Sequence, residues 1–435
     1  MKKCFGCLSG LFLFLGNMFI HAQPGATIYT SGSNIFGPCG DTLRLKGVNY
    51  APYNWGWSPS QNNIFQVALT GANCIRLPWY KTTPDGPTPQ ATYNNLVNLD
   101  SALSKCIQKK LIPILELHDQ TCQNSPSALI TLANWYVQPA VITLINKYKH
   151  SLILNIANEA LFVSWTSNTL TAQTNFVNTY TTIVNTLRGN NITVPIMIDG
   201  PDCGTNLDVL SNVGGTIKGS DPAQNIIFSA HAYWYLYANN DSLQMLSKIN
   251  YALSKNIPFI LGEIANLQDD VSMCQYTLNY KSLLKICKQK KVGWIAWSWD
   301  NDGCSARRMS STGSFTALTT YGNDIVNNPV YGLATNSPAK SKYLLYGTCV
   351  STGISEWDNI NHGLIFPNPS EGVFNVNMQN DEVSIVNVYD INGKKMETDE
   401  IAYRKYKIIT EKKGVYIVEL ILESGKILHF KNLKE

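Results

Sequence analysis

Charge is scarce in this chain. Asp, Glu, Lys and Arg make up 15% of its 435 residues, and the formal net charge is +4. So small a balance does not build the basic surface that nucleic acid requires, and no nucleic-acid partner is expected. Apolar residues reach 44%, which supplies a sizeable core and excludes disorder over most of the length. Metal and nucleophile signatures are missing too. There is no HExxH, and the single CxxC, Cys4 to Cys7, lies in the first residues. Neither zinc nor any other cofactor is therefore expected. No GxSxG is present, which argues against a serine hydrolase of the usual form. No glycine-rich turn of the dinucleotide-binding type follows any apolar run.

What is present begins with a leader. Lys2 and Lys3 precede the apolar run Leu11-Phe12-Leu13-Phe14-Leu15, broken by Gly16 and Asn17. The run is too short for a membrane span and reads as a secretory signal over 1–22, with cleavage after Ala22. Cleavage removes Cys4 and Cys7 and leaves nine cysteines, an odd number whose pairing the sequence does not give. Cys74 and Cys106 lie in apolar segments and read as small core residues.

Eight apolar strands are expected, at about 43–49, 73–77, 111–117, 152–157, 194–199, 225–230, 257–262 and 292–298. Helical periodicity falls between them: Leu96, Leu99, Leu103 and Ile107 share one face, as do Tyr280, Leu283, Leu284 and Cys287. Strands alternating with helices build a parallel sheet. Eight such units point to a closed (β/α)₈ barrel, an α/β fold, over 23–349, with a doubly wound open sheet as the alternative. After a polar linker at 350–362, the last 73 residues (363–435) change character. They hold 21 charged residues and neither Cys nor Trp. Short alternating strands there, with the turn Asp390-Ile391-Asn392-Gly393, predict a small all-β domain.

The ends of the eight strands carry Asn49, Arg76, His118, Asn158 with Glu159, Asp199, His231, Glu263 and Trp297. A carboxylate ending an apolar strand is costly to bury and is seldom placed for packing alone. In a barrel these ends converge on one face. Glu159 on strand four and Glu263 on strand seven would then face each other. Two facing carboxylates about 5 Å apart are what retaining hydrolysis of a glycosidic bond needs. Arg76 is placed to keep Glu263 ionised, Asn158 to meet a sugar hydroxyl, and His231 and Tyr233 to face the same way. Trp297 is placed to form a stacking floor. Trp55, Trp57, Trp79, Trp234 and Tyr235 are candidates for outer sugar platforms. Asp300-Asn301-Asp302-Gly303 is too short for a calcium loop and reads as a polar turn.

These residues resemble glycoside hydrolase family 5 over about 27–346. The resemblance implies Glu159 as acid/base and Glu263 as nucleophile, with Arg76, His118, Asn158, His231, Tyr233 and Trp297 as substrate-site positions. It implies a polysaccharide substrate from the plant cell wall. Leu115-Glu116-Leu117-His118-Asp119, Asn155-Ile156-Ala157-Asn158-Glu159 and Gly293-Trp294-Ile295-Ala296-Trp297-Ser298-Trp299 resemble bacterial endo-β-1,4-mannanases, as does Leu318-Thr319-Thr320-Tyr321-Gly322-Asn323. Two departures stand out: Ala160 after the acid, and Pro201-Asp202-Cys203-Gly204, which lacks the tryptophan often found there. An endo-β-1,4-glucanase is the alternative, and a non-catalytic polysaccharide-binding barrel a further one. The tail resembles the sorting domain of type IX secretion through Phe366-Pro367-Asn368-Pro369 with Gly372, Val388-Tyr389-Asp390 with Asn392-Gly393, and Gly414-Val415-Tyr416. That implies the type IX machinery as partner and an extracellular or cell-surface location. A carbohydrate-binding module is the alternative for the tail, disfavoured by its lack of Trp. A monomer is expected.

Overall fold

The computed structural model describes residues 27–52, 63–81, 95–268, 274–300, 302–349, 363–378, 382–423 and 427–435. The expected leader, the linker at 350–362, Trp55, Trp57 and Asn301 lie outside the described residues. The chain divides into two compact units, Met1–Cys349 and Val350–Glu435.

Eight parallel strands close the first unit into a barrel: β1 (Lys46–Asn49), β2 (Cys74–Trp79), β3 (Ile112–Leu117), β4 (Ile153–Asn155), β5 (Ile196–Asp199), β6 (Ile226–His231), β7 (Phe259–Ile264) and β8 (Gly293–Ala296). Neighbours in sequence are neighbours in space, and β8 pairs with β1 to close the ring. All eight expected strands are present, so the open sheet is excluded. The alternation of side chains along each strand makes two cores. Cys74, Ile112, Ile114, Ile153, Met197, Ile227, Ile260 and Ile295 fill the barrel's lower interior. Val48, Ile75, Leu77, Leu115, Leu154, Ile198, Phe228 and Trp294 point outward against the helices.

The expected helices form where the periodicity put them. Leu96–Gln108 buries Leu99, Ala102, Leu103 and Cys106, and Asn95 caps its start by accepting from the amides of Val97 and Asn98. Tyr280–Lys290 buries Leu283, Leu284, Ile286 and Cys287. Among the described residues, Cys74, Cys106 and Cys287 are buried free thiols, and six other cysteines pair as Cys39–Cys349, Cys122–Cys203 and Cys274–Cys304.

Two features aim the upper face. β4 is shorter than expected, leaving the ladder after Asn155. Its continuation is still held, with Ile156 N donating to Met197 O and Asn158 N to Leu117 O, until Glu159 turns at φ +51°. In β7, strict alternation from Ile260 would send Glu263 outward. The register slips between Leu261 and Glu263, so Glu263 pairs with His231 and turns into the lumen.

The second unit holds two four-stranded antiparallel sheets. Ile365, Phe374, Val376, Val388, Ile408, Tyr416, Val418, Leu420, Leu422 and Phe430 form one core. The expected turn at Asp390–Gly393 joins Val383–Asp390 to Lys395–Met396, with Gly393 at φ +80°.

The barrel's lower interior has no room to spare at Gly47. A Cβ there would lie 2.2 Å from the Cys74 carbonyl oxygen and 2.6 Å from its Sγ. Gly47→Ala is expected to cost about 1–3 kcal/mol by overpacking, read as a lower urea midpoint of the full chain. An unchanged midpoint would show that the strands can part there.

Candidate active site

At the carboxyl ends of the strands, Arg76 is fully buried and spends all five of its N–H donors. Nε donates to Asn155 Oδ1 at 2.8 Å. Nη1 donates to Asn49 Oδ1 at 3.0 Å and to Glu263 Oε1 at 2.8 Å. Nη2 donates to Asn158 Oδ1 at 2.7 Å and Asp199 Oδ2 at 3.1 Å, with Glu116 Oε2 at 3.6 Å. Burial works against the guanidinium charge, but Glu116, Asp199 and Glu263 outweigh it and hold the proton on more firmly than usual.

Around this centre the strand-end residues converge. Glu263 takes its second hydrogen bond, at Oε2, from the Tyr233 hydroxyl at 2.7 Å. Glu159 Oε1 lies 2.7 Å from His231 Nδ1, whose other near neighbour is Glu263 Oε1 at 3.5 Å. One oxygen from each glutamate and a His231 nitrogen lie within 4.8 Å of one another. Such a group also has metal-ligand spacing, but the guanidinium bonded to Glu263 makes it a poor cation site. Burial lifts the Glu159 carboxyl above its ordinary value; the Glu263 charge adds to the rise and the His231 hydrogen bond opposes it. For His231 burial opposes the charge, but Glu263 and Asp199 outweigh it and push it up to about 10. Its Nε2 sits 3.3 Å from Asp199 Oδ2, an ion-pair distance without hydrogen-bond alignment. Burial also opposes ionisation of Asp199, yet His231 and Arg76 hold that carboxyl well below its ordinary value.

His118 stacks on Trp297 with ring centroids 5.9 Å apart, and its Nδ1 lies 3.0 Å from Glu116 Oε2. Burial disfavours the His118 charge, but Glu116 prevails and raises its pKa. Trp297 is itself held by an indole N–H bond to Asp302, which also receives Arg307. Asp302 thus anchors the tryptophan. Asn158 donates to Thr121 Oγ1 at 3.0 Å.

A cleft of about 1010 Å³ opens over these groups, lined by His118, Asn158, Glu159, Tyr233, Glu263 and Trp297. Beyond Glu159 it continues along Cys122, Cys203, Trp165, Leu236 and Tyr237. Three candidate platforms do not belong to it. Trp79 and Trp234 are fully buried among outward-facing core residues, and Tyr235 stacks on Tyr276 at 4.3 Å. Trp79 lies an odd number of residues beyond Cys74 and Arg76, so the pleat turns it toward the helices. Trp165 was missed. It lines the cleft at 60% exposure, and its loop is fixed by Asp202, which accepts from the amides of Val163, Ser164 and Trp165. Its signal was a tryptophan in a polar loop six residues after Glu159.

Removing one partner of a buried charge network strands the others, at a cost of about 3–5 kcal/mol. Arg76→Met is expected to lose stability of that order in a denaturant titration. Wild-type stability would mean that the acids around it neutralise without cost.

The chain is similar to known proteins over both of its units. Residues 36–303 match the family described as cellulase (glycosyl hydrolase family 5), and residues 364–430 match the secretion system C-terminal sorting domain. A mannan endo-1,4-beta-mannosidase from Cellvibrio japonicus (strain Ueda107) is 26% identical over 320 residues, covering 72% of this chain and 69% of that protein. One from Salipaludibacillus agaradhaerens is 24% identical over 304 residues, covering 69% and 91%. The fold is shared with the crystal structure of beta-mannanase from Streptomyces thermolilacinus, at TM-score 0.61 and 18% identity, covering 73% of this chain and 99% of that one. The sorting domain marks the protein for export by type IX secretion. The chain belongs to glycoside hydrolase family 5, and it is a glycosidase with a C-terminal sorting domain.

Proposed function

We propose that this protein is a secreted, retaining endo-β-1,4-glycanase acting on β-mannan, with Glu263 as nucleophile and Glu159 as acid/base. The observation that carries the reading is the approach of the two carboxylates. Oxygens within 4.8 Å suit direct attack on the sugar, whereas inversion needs about 6.5–9.5 Å to admit a water. The names borne by the two curated relatives favour mannan. The family description, and the missing tryptophan at Pro201–Gly204, favour β-1,4-glucan as the second reading.

In the first step a Glu263 oxygen bonds to the anomeric carbon as the glycosidic C–O bond breaks, and the Glu159 proton passes to the leaving oxygen. In the second, Glu159 takes a proton from water, the water oxygen bonds to the anomeric carbon, and Glu263 is released. Arg76 and Tyr233 each donate a hydrogen bond to Glu263, one to each carboxyl oxygen, and so fix its orientation. His231 N–H stabilises the carboxylate that Glu159 becomes after giving up its proton. Trp297 floors the cleaved sugar, with Asn158 and His118 beside its hydroxyls. The catalytic unit is assigned to 23–349, between a leader at 1–22 and a linker at 350–362. The sorting domain is assigned to 363–435, and the enzyme to a monomer.

Reducing-end release from soluble β-mannan and from carboxymethylcellulose, measured side by side, tests the substrate. Release mainly from mannan is expected, and release mainly from the cellulose derivative would favour the second reading. Glu263→Ala is expected to abolish turnover in a folded protein, and near wild-type activity would contradict the assignment. Glu159→Gln is expected to lower kcat/KM on polysaccharide by roughly 10²–10⁴-fold. Because Glu159 must be protonated to act, activity falls as pH rises through its raised pKa. The alkaline limb should therefore lie above the ordinary carboxyl range in the wild type and vanish in Glu159→Gln. A limb that survives this substitution belongs to another group.

A further inference from the structure

The disulfide Cys122–Cys203 has no part in the chemistry above, yet it borders the acid. Cys122 follows β3 and Cys203 follows β5, so the bridge spans 81 residues of sequence across the end of β4, where Glu159 sits. Cys122 Sγ lies 3.3 Å from Glu159 Oε2. A disulfide sulfur carries no proton, so this contact gives the carboxylate no hydrogen bond. It does occupy space that water would otherwise fill. The other oxygen, Oε1, already accepts from His231 Nδ1 at 2.7 Å. The transferable proton of Glu159 therefore sits on Oε2, against the sulfur.

The surrounding backbone makes the bridge more than a tether. Cys122, Glu159, Asp202 and Cys203 all take left-handed conformations, at φ +52°, +51°, +58° and +52°. Such conformations are costly for these residues and persist only where the surroundings over-determine them. Here Leu161 N donates to Gln123 O and Asp202 N to Leu161 O, each at 2.9 Å. Gly204, beside Cys203, packs its Cα on the His231 ring and accepts the His231 amide. The loops after β3, β4 and β5 are sewn together around one carboxyl, and the disulfide is the covalent stitch nearest to it.

We propose that Cys122–Cys203 is a positioning device for Glu159, holding Oε2 dry and aimed into the cleft so that it stays protonated until it meets the leaving oxygen. The inference rests on the acid/base reading of Glu159. The charged and titratable groups facing that carboxyl are His231 from β6, Glu263 from β7, His118 after β3, Arg76 from β2 and Tyr233, with Asp199 from β5 bonded to the Glu159 amide. Burial contributes most to keeping the acid neutral, and His231 opposes it. Taking away the sulfur wall lets water reach Oε2 and favours the ionised form. Export by type IX secretion takes the protein out of the reducing cytosol and into surroundings where such a bridge persists.

The test compares full-length Cys122→Ala/Cys203→Ala with the wild type and with Cys39→Ala/Cys349→Ala, which opens a bridge not in contact with Glu159. Each is assayed across pH on mannan and on an activated aryl β-mannoside, whose leaving group needs no proton. The expected result is an alkaline limb of kcat/KM moved to lower pH by about half a unit. On mannan kcat should fall about tenfold, part of the 10²–10⁴ that an acid supplies, with a smaller fall on the aryl substrate. The control pair should keep both limb and substrate ratio. Cys122→Ser/Cys203→Ser, whose hydroxyls would donate to Oε2, should shift the limb at least as far. Reducing the native enzyme, with opening of the Cys122–Cys203 bridge followed by mass, gives the same comparison without mutation. An unmoved limb with equal losses on both substrates, in whichever form folds, would reduce the bridge to a structural staple and overturn the proposal. A wild type inactive on every β-1,4-glycan would instead overturn the functional reading beneath it.

Discussion

A guanidinium sealed inside the barrel mouth makes its demands on five of the other strands. Arg76 is fully buried, and an uncompensated charge there would be ruinous, so its neighbours are dictated. Asn49 from β1, Glu116 from β3, Asn155 and Asn158 at β4, Asp199 from β5 and Glu263 from β7 all turn toward it. These strand ends can carry polar side chains into a dry interior because each has a donor to meet. The same network separates the two glutamates in character. Glu263 receives a cation and a phenol; Glu159 receives burial, the charge of Glu263 and one histidine. Two identical side chains a few ångströms apart thereby meet different surroundings.

Much of this was legible in the sequence, for a physical reason. A parallel barrel buries its strands on both faces, so each reads as an apolar run, and the polar or aromatic residue at or just after its end marks the mouth. Asn49, Arg76, His118, Glu159, His231, Glu263 and Trp297 were found in that way. What strand counting does not show is a slip in pairing. Glu263 reaches the lumen through a register shift against β6, which depends on a strand about thirty residues away. The shortness of β4 is of the same kind, since hydrogen bonds outside the ladder hold its continuation.

The aromatics taught the opposite lesson. Residue type suggested Trp79 and Trp234 as platforms, but the side of the pleat decides where a side chain goes, and both fill the core. Trp165 went unnoticed because a loop has no periodicity to read, although Asp202 fixes that loop as firmly as a strand would. The disulfide pairing was illegible: bridges over 81 and 310 residues are a product of the finished fold. In the loop Pro201–Gly204, where a tryptophan is missing, the fold has put a sulfur bridge, an acid that clamps the neighbouring loop, and a glycine pressed on His231.

If Glu263 forms a bond to the sugar while Glu159 manages protons, that bond can be caught. The most direct measurement is to trap that bond with an activated 2-deoxy-2-fluoro-β-mannoside and to map the modified peptide by mass spectrometry. One sugar per chain is expected, on the peptide containing Glu263, with activity lost in step with labelling. A label on Glu159 would exchange the two roles. Absence of any covalent adduct, together with a product of inverted anomeric configuration, would contradict the double displacement itself.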